Sequence, residues 1–355
     1  MSQDNIFENP EWQPSGNYGH IDDLVVKEAR RTFSRFSLAL FIFLLTANLV
    51  VLALSTTMML VMGATEYQAF VESSPIFEML ASTLPMYLIS FPILLLIVGK
   101  MPTRAREKKK LPLLELFYTF LVAEAFMITG NVIGQTITTS ISTMLGIEIT
   151  NSTSELILKA PIWLIFILVV IVAPIVEELI FRKLMIDRLS RFGDVTAIIV
   201  SSVAFGLFHG NLYQFFYAAF LGLLLGYLYS KSGKIIYTIV FHAIINFLGS
   251  VAVIPIMKYE EILLSGTFPE TGAALREYAI AGIFMGSYAI LQYAMVIPGI
   301  IIFINAIKYR LIKLNRTSEL KIPEGKTAGA VLQNAGTILF LVLSLATFAI
   351  SLFLG

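Results

Sequence analysis

Long apolar segments alternate with short polar ones along most of the chain. Nine segments are apolar enough to enter a membrane, and most have the length of about 20 residues that a spanning helix needs. They cover about residues 37–62, 77–99, 112–145, 158–185, 195–210, 212–230, 235–256, 279–307 and 329–354. The fifth is short, and eight spans remain if it forms a re-entrant pair with the sixth. The pattern predicts an all-α, polytopic helical membrane protein with eight to nine transmembrane helices.

The composition narrows the class of protein further. Of the 355 residues, 57% are hydrophobic and 14% charged, whereas ordinary soluble domains carry about 25% charged residues. The lipid bilayer is therefore the expected surrounding. The net charge of +1 leaves no basic surplus for nucleic acid. The chain has no cysteine, which excludes disulfides, thiolate metal sites and a thiol nucleophile.

Basic residues occur in every second loop, and this alternation predicts the orientation of the chain. Lys and Arg precede the first segment and follow the second, fourth, sixth and eighth, while the other loops are acidic or uncharged. Basic loops remain in the cytosol. We therefore expect the N-terminus in the cytosol and the C-terminus outside. Residues 1–35 are polar and are interpreted as a cytosolic tail, and residues 36–355 as the transmembrane domain.

The fourth segment contains charges that a membrane helix normally avoids. Glu177, Glu178 and Arg182 lie within it, although one charged residue at a helix centre costs roughly 2.5 to 3.5 kcal/mol. Such residues are functional candidates. Glu178 and Arg182 are spaced i, i+4 and can pair on one helix face. Glu177 lies about 100° further round the helix and is the carboxylate left for chemistry.

Two further pairs of residues place polar groups in apolar segments. Phe205 and His209 end the fifth segment, and His242 and Asn246 lie in the seventh. Each pair is spaced i, i+4 and shares a helix face, so Phe205 can hold the ring of His209. At 1.5 Å per residue, Glu177, His209 and His242 lie about 15, 21 and 11 Å from the cytosolic ends of their helices. One site on the fourth, fifth and seventh helices is therefore allowed, open more readily to the cytosol.

These groups have more than one chemical interpretation. A carboxylate and an imidazole can activate water, and a second histidine with an amide can stabilise an oxyanion; together they would hydrolyse a peptide bond. Two histidines and one carboxylate can also bind a catalytic zinc ion, and the residues do not choose between the two mechanisms. Each polar group can instead have a structural role in helix packing. Interhelical hydrogen bonding is the expected role of Glu124 and Asn131 in the third segment.

At these residues the chain resembles the CPBP family, which comprises CAAX-type prenyl endopeptidases and bacteriocin-processing or immunity proteins and is also called the Abi family. The family pattern is Glu-Glu-x-x-x-Arg, then Phe-x-x-x-His, then His-x-x-x-Asn or a small residue. This chain fills it in the same order with Glu177, Glu178, Arg182, Phe205, His209, His242 and Asn246. The resemblance covers a core of about residues 160–255.

The resemblance implies an intramembrane endopeptidase whose active site lies in the bundle of the fourth to seventh helices. It implies that Glu177 and His209 activate water, that His242 and Asn246 form the oxyanion site, and that Glu178 and Arg182 hold the site together. Family members are also labelled metalloproteases. Zinc on Glu177, His209 and His242 therefore stays open as the alternative.

The expected protein is an integral protein of a bacterial plasma membrane that cleaves a peptide or protein substrate near the membrane. A CAAX-like C-terminus and a bacteriocin leader are the substrate types that the family suggests. The alternatives are a non-catalytic immunity or scaffold protein of the same fold, and a proton- or cation-coupled transporter. The sequence indicates neither the substrate nor the oligomeric state.

Overall fold

The computed structural model describes residues 18–147, 149, 151–254, 272–314 and 318–353. These residues form helices and no strand. Part of the predicted cytosolic tail, residues 1–17, and the last two residues of the seventh apolar segment lie outside the described residues. The helices are α1 Tyr18–Met62, α2 Ala64–Ser73, α3 Pro75–Val98, α4 Leu113–Leu145, α5 Ser152–Lys159, α6 Ile162–Phe192, α7 Asp194–Phe208, α8 Leu212–Ser232, α9 Ile235–Gly249, α10 Gly272–Lys308, α11 Thr327–Leu332 and α12 Ala335–Phe353.

Seven of the described helices are long and apolar enough to cross a membrane: α1, α3, α4, α6, α8, α10 and α12. This confirms the prediction of an all-helical, polytopic membrane protein. Helices α7 and α9 are apolar but have only 15 residues each, fewer than the about 20 that a full span needs. The predicted count of eight to nine spans therefore stays a prediction.

Helix α1 begins well before the first apolar segment. It starts at Tyr18 and continues without interruption to Met62. Phe33 is buried and packs against Phe192 at the end of α6, with ring centroids 5.8 Å apart. Residues 18–35, the second half of the predicted polar tail, are therefore helical and pack on the end of α6.

Glycines bring several helices into close backbone contact. A side chain on Gly130 of α4 would place its Cβ 2.5 Å from the Cα of Tyr217 in α8. Likewise, a Cβ on Gly206 of α7 would lie 2.6 Å from the Phe215 carbonyl oxygen of α8. Small residues at such positions allow membrane helices to pack closely. Helix α8 is therefore held between α4 and α7, and these contacts fix the bundle that carries the polar residues.

The predicted site residues all lie in the centre of this bundle. Helix α6 carries the glutamates, α7 leads to the first histidine, and α9 carries the second histidine and the asparagine. Helix α9 ends at Gly249, about two turns earlier than the apolar segment predicted. This early end leaves space beside the site.

Candidate active site

The two glutamates lie in a short α-helical part of α6, Ala173–Glu178. It is flanked on both sides by π-helical segments, Phe166–Val172 and Leu179–Ile186. Pro174 has no backbone N–H, so it cannot make the regular helical hydrogen bond at this point. π-Helical turns inside a longer helix are frequent at functional sites. The local backbone of α6 is therefore irregular where its charged residues lie.

Glu178 and Arg182 form the ion pair that their spacing predicts. Arg182 Nε lies 3.0 Å from Glu178 Oε2, and both side chains are fully buried. The contact is an electrostatic one, because the N–H is not directed at the carboxylate oxygen. The guanidinium also lies over the ring of Phe205, 4.9 Å from its centroid, in a favourable cation–π arrangement. The charge of Arg182 is thus compensated inside the bundle.

His242 on α9 lies between the two glutamates of α6. Its Nδ1 is 3.0 Å from Glu178 Oε1, a hydrogen bond, and its Nε2 is 3.6 Å from Glu177 Oε2. An ionised carboxylate only accepts hydrogen bonds, so Nδ1 donates to Glu178. This contact connects α9 to the ion pair of α6. The sequence did not indicate it, since the two residues are 64 positions apart.

His209 lies directly after α7 and is fixed by the turn that follows it. Its Nδ1 is 2.8 Å from the carbonyl oxygen of Phe205. A carbonyl only accepts, so the proton is assigned to Nδ1, and Nε2 keeps its lone pair. Gly210 has a φ of +70°, which allows the sharp turn. Asn211 then donates to the His209 carbonyl and caps α8 by accepting from the Gln214 N–H.

Phe205 contacts three of the site residues. Its ring meets the rings of His209 and His242 edge to face, at centroid distances of 4.9 and 5.6 Å, and it also carries the guanidinium of Arg182. The prediction that Phe205 packs beside His209 is confirmed. The structure adds that the same ring supports His242.

Asn246 contacts the π-helical part of α6. Its Nδ2 donates to the carbonyl oxygen of Val169 at 2.9 Å. An amide nitrogen has two N–H donors, so one remains for another partner. Asn246 therefore holds α9 against α6 and keeps one donor that a ligand can use.

A cavity of about 400 Å³ joins these residues. Its walls include Glu177, His209, His242, Asn246 and Phe205. Glu178 and Arg182 do not line it and lie behind the wall. The structure thus brings the four predicted catalytic side chains from α6, α7 and α9 to one cavity, and places the ion pair as their support.

The cavity lies toward the end of the bundle that is opposite to the basic loops. Its walls include Gln135 from the second half of α4, Gln214 from the first turn of α8 and Ser250 after the end of α9. The cavity thus lies at the other end from the one that the helix depths indicated, and which end faces the cytosol stays a prediction. The helix depths did not account for the early ends of α7 and α9.

Other polar residues of the cavity were not singled out from the sequence. Tyr217 of α8 lines the cavity, and its ring centroid is 6.3 Å from that of His209. Tyr217 could have been found in the sequence by its position one turn after Tyr213, on the same face of the helix. Asn131 also lines the cavity and accepts from Gln135 in its own helix at 3.1 Å.

Glu124 of α4 is a second fully buried glutamate. Neither of its carboxylate oxygens has a hydrogen-bond partner among the described residues. The interhelical hydrogen bond that the sequence suggested for Glu124 is therefore not present in the described part of the chain.

Zinc binding by Glu177, His209 and His242 requires that their side chains lie close together. Within the described ranges, no three His, Cys, Asp or Glu side chains come together closely enough to hold a metal ion. His209 and His242 each use only Nδ1 in a hydrogen bond, which leaves Nε2 of each ring as it would be in a metal-binding histidine. In the described part of the chain Glu177, His209 and His242 are thus not grouped as a zinc ligand set, and the zinc alternative stays a prediction.

Comparison with known families gives one match. Residues 159–248 match the family described as type II CAAX prenyl endopeptidase, Rce1-like. This stretch contains all three motifs and agrees with the core of about residues 160–255, so the resemblance is confirmed for under a third of the chain. No curated protein and no solved structure matches the chain.

Proposed function

We propose that this chain, whose residues 159–248 match the Rce1-like type II CAAX prenyl endopeptidases, is an intramembrane endopeptidase with a water nucleophile. At the level of the family, the match supports a CAAX-type protease in the bilayer. The proposal for this chain depends on one observation. Glu177, His209, His242 and Asn246 come from three helices and line one cavity.

Glu177 and His209 are the residues that activate water. Nε2 of His209 keeps its lone pair because Nδ1 is held by the Phe205 carbonyl, so Nε2 can accept one hydrogen of a water molecule and orient it. The carboxylate of Glu177 faces the same cavity and takes the proton. Glu178 cannot take this role, since Arg182 and His242 already pair with it.

Asn246 and His242 are the groups that stabilise the oxyanion. The hydroxide forms a bond to the carbonyl carbon of the peptide, and negative charge develops on the carbonyl oxygen. The free N–H of Asn246 is one donor for this charge. His242 is the second donor when both of its nitrogens carry protons, one toward Glu178 and one toward the cavity. The proton held by Glu177 then passes to the amide nitrogen as the C–N bond breaks.

The first experiment is proteolysis of a pooled peptide library by the purified, detergent-solubilised protein, with mass spectrometry as the readout. Wild type is compared with Glu177→Gln, which keeps the shape of the side chain and removes the base. We expect the cleavage rate to fall by about 10²- to 10⁴-fold, the usual contribution of a general base. Glu107→Gln is the matched control, because Glu107 is an exposed glutamate at the other end of the bundle, paired with exposed Lys109.

Two results would contradict this mechanism. If a correctly folded Glu177→Gln protein cleaved peptides at the rate of the wild type, Glu177 would not take part in the chemistry. Loss of wild-type cleavage with a strong chelator, restored by added zinc, would replace the metal-free mechanism by a metal-dependent one. We expect the chelator to leave the rate unchanged.

A further inference from the structure

Helices α7 and α9 are both short, and both end beside the cavity. Each has 15 residues, about 22 Å, whereas the hydrocarbon core is about 30 Å thick. Each begins within three residues of a basic residue, Arg191 before α7 and Lys234 before α9. Non-helical backbone at membrane depth must be buried in protein or line a water-filled cavity. The catalytic cavity occupies this position, with His209 and Ser250 in its wall.

Uncharged polar side chains surround the cavity at this end. Asn131 and Gln135 come from the second half of α4, Asn151 and Ser154 from the start of α5, and Gln214 from the start of α8. Side-chain amides offer both donors and acceptors. The backbone of an extended peptide likewise offers one donor and one acceptor per residue. The wall of the cavity therefore fits an extended peptide segment.

The two ends of the bundle differ in charge. Glu177 is the one acidic side chain among the described residues of the cavity wall, and none of these is Lys or Arg. The opposite end carries the basic residues Arg104, Arg106, Lys183 and Lys231. Basic residues near membrane helices stay in the cytosol. The cavity therefore lies at the end that faces away from the cytosol.

We propose that the peptide reaches Glu177 from the extracytoplasmic face, as an extended and hydrated segment of a polypeptide exposed on that side. Among its described residues the wall offers no cation that would pair with a phosphate or a chain-terminal carboxylate, so the bound segment is an internal one without acidic groups. This inference rests on the proposed endopeptidase function. It adds the side of access and the chemical class of the substrate.

The test uses the absence of cysteine from the chain. Gln214→Cys places a single thiol in the cavity wall, and Lys110→Cys places one on an exposed position at the basic end. Intact cells that produce either variant are treated with a membrane-impermeant maleimide, before and after permeabilisation. We expect the thiol at 214 to react at least tenfold faster than that at 110 in intact cells, and the thiol at 110 to react only after permeabilisation.

The opposite labelling pattern, or a thiol at 214 that stays unreactive under both conditions, would overturn the proposal. Repeating the labelling with Glu177→Gln in both variants separates the two proposals, because access to the cavity does not require catalysis. A failed peptidase assay with the expected labelling would reject the function and keep the side of access.

A second measurement tests whether blocking this end of the cavity lowers peptide cleavage. A bulky maleimide on purified Gln214→Cys should lower peptide cleavage at least tenfold relative to the same variant without the label. The same label on Lys110→Cys should leave the rate unchanged. Equal cleavage by labelled and unlabelled Gln214→Cys would mean that the peptide does not pass this end of the cavity.

Discussion

Helix α6 carries carboxylates in two different surroundings. One of these is the basic end of the bundle, where Asp187 lies. Asp187 accepts hydrogen bonds from Lys183 at 2.7 Å, from Tyr229 at 2.9 Å and from Arg106 at 3.2 Å. Arg106 also pairs with Asp194 of α7 at 2.9 Å. The contacts of Asp187 join α6 to α8, to the loop before α4 and to the preceding turn of α6, and Arg106 links this group to α7. Charge at this end holds the helices together.

At the cavity, about three turns earlier, the neighbouring glutamates differ from each other. Glu178 is fully buried between Arg182 and His242. Glu177 faces the cavity, with His242 Nε2 3.6 Å away. The comparison shows that the carboxylates with charged partners, Asp187 and Glu178, stabilise the fold. Glu177, which faces the cavity, is the carboxylate available for chemistry.

The largest effect on stability is expected from Arg182→Ala. The change leaves the carboxylate of Glu178 buried without its cationic partner, which typically costs about 3 to 5 kcal/mol. We expect a clear fall in the thermal unfolding temperature in detergent and loss of activity together with the fold. Normal unfolding and activity would show that the pair does not stabilise the bundle.

A double variant separates the lost pair from the lost side chain. Arg182→Met with Glu178→Gln replaces both charges by neutral groups of similar volume, and such replacements of buried ion pairs are often neutral or stabilising. We expect it to unfold at a higher temperature than Arg182→Ala. A lower unfolding temperature for the double variant would assign the effect to packing on Phe205.

Asn246→Ala tests the cavity side of the comparison. Removal of one oxyanion donor typically lowers kcat by about 10²- to 10³-fold, and we expect that loss with little change in KM. The lost hydrogen bond to Val169 should lower stability by only about 1 kcal/mol. Unchanged kcat with a lower unfolding temperature would assign Asn246 to packing of α9 on α6.

The local features of the site could be predicted from the sequence. The apolar segments gave the helices, and the i, i+4 spacing gave the ion pair of Glu178 with Arg182 and the contact of Phe205 with His209. These are contacts within one helix or at its end, where residue spacing fixes which side chains meet. For that reason they follow from a linear pattern.

The contacts between helices could not be predicted in the same way. His242 reaches Glu178 across 64 positions, and Asn246 reaches Val169 across 77. Their formation depends on helix rotation and on the π-helical turns of α6, neither of which leaves a periodic signal. The direction of the cavity was missed for a related reason, since apolar residues continue past Gly249 although the helix ends there.

A smaller effect on stability than that of Arg182→Ala is expected at the basic end, from Asp187→Asn. Loss of a hydrogen bond to a charged group typically costs about 1.5 to 3 kcal/mol, and Arg106 keeps Asp194 as a partner. We therefore expect a loss of about 2 kcal/mol in unfolding free energy and an unchanged kcat. Lys183→Ala is the matched control, because the Lys183 side chain is half exposed and such pairs contribute about 1 kcal/mol or less. A fall in kcat in a stably folded Asp187→Asn protein would contradict the comparison, because the basic end would then act on the chemistry at Glu177.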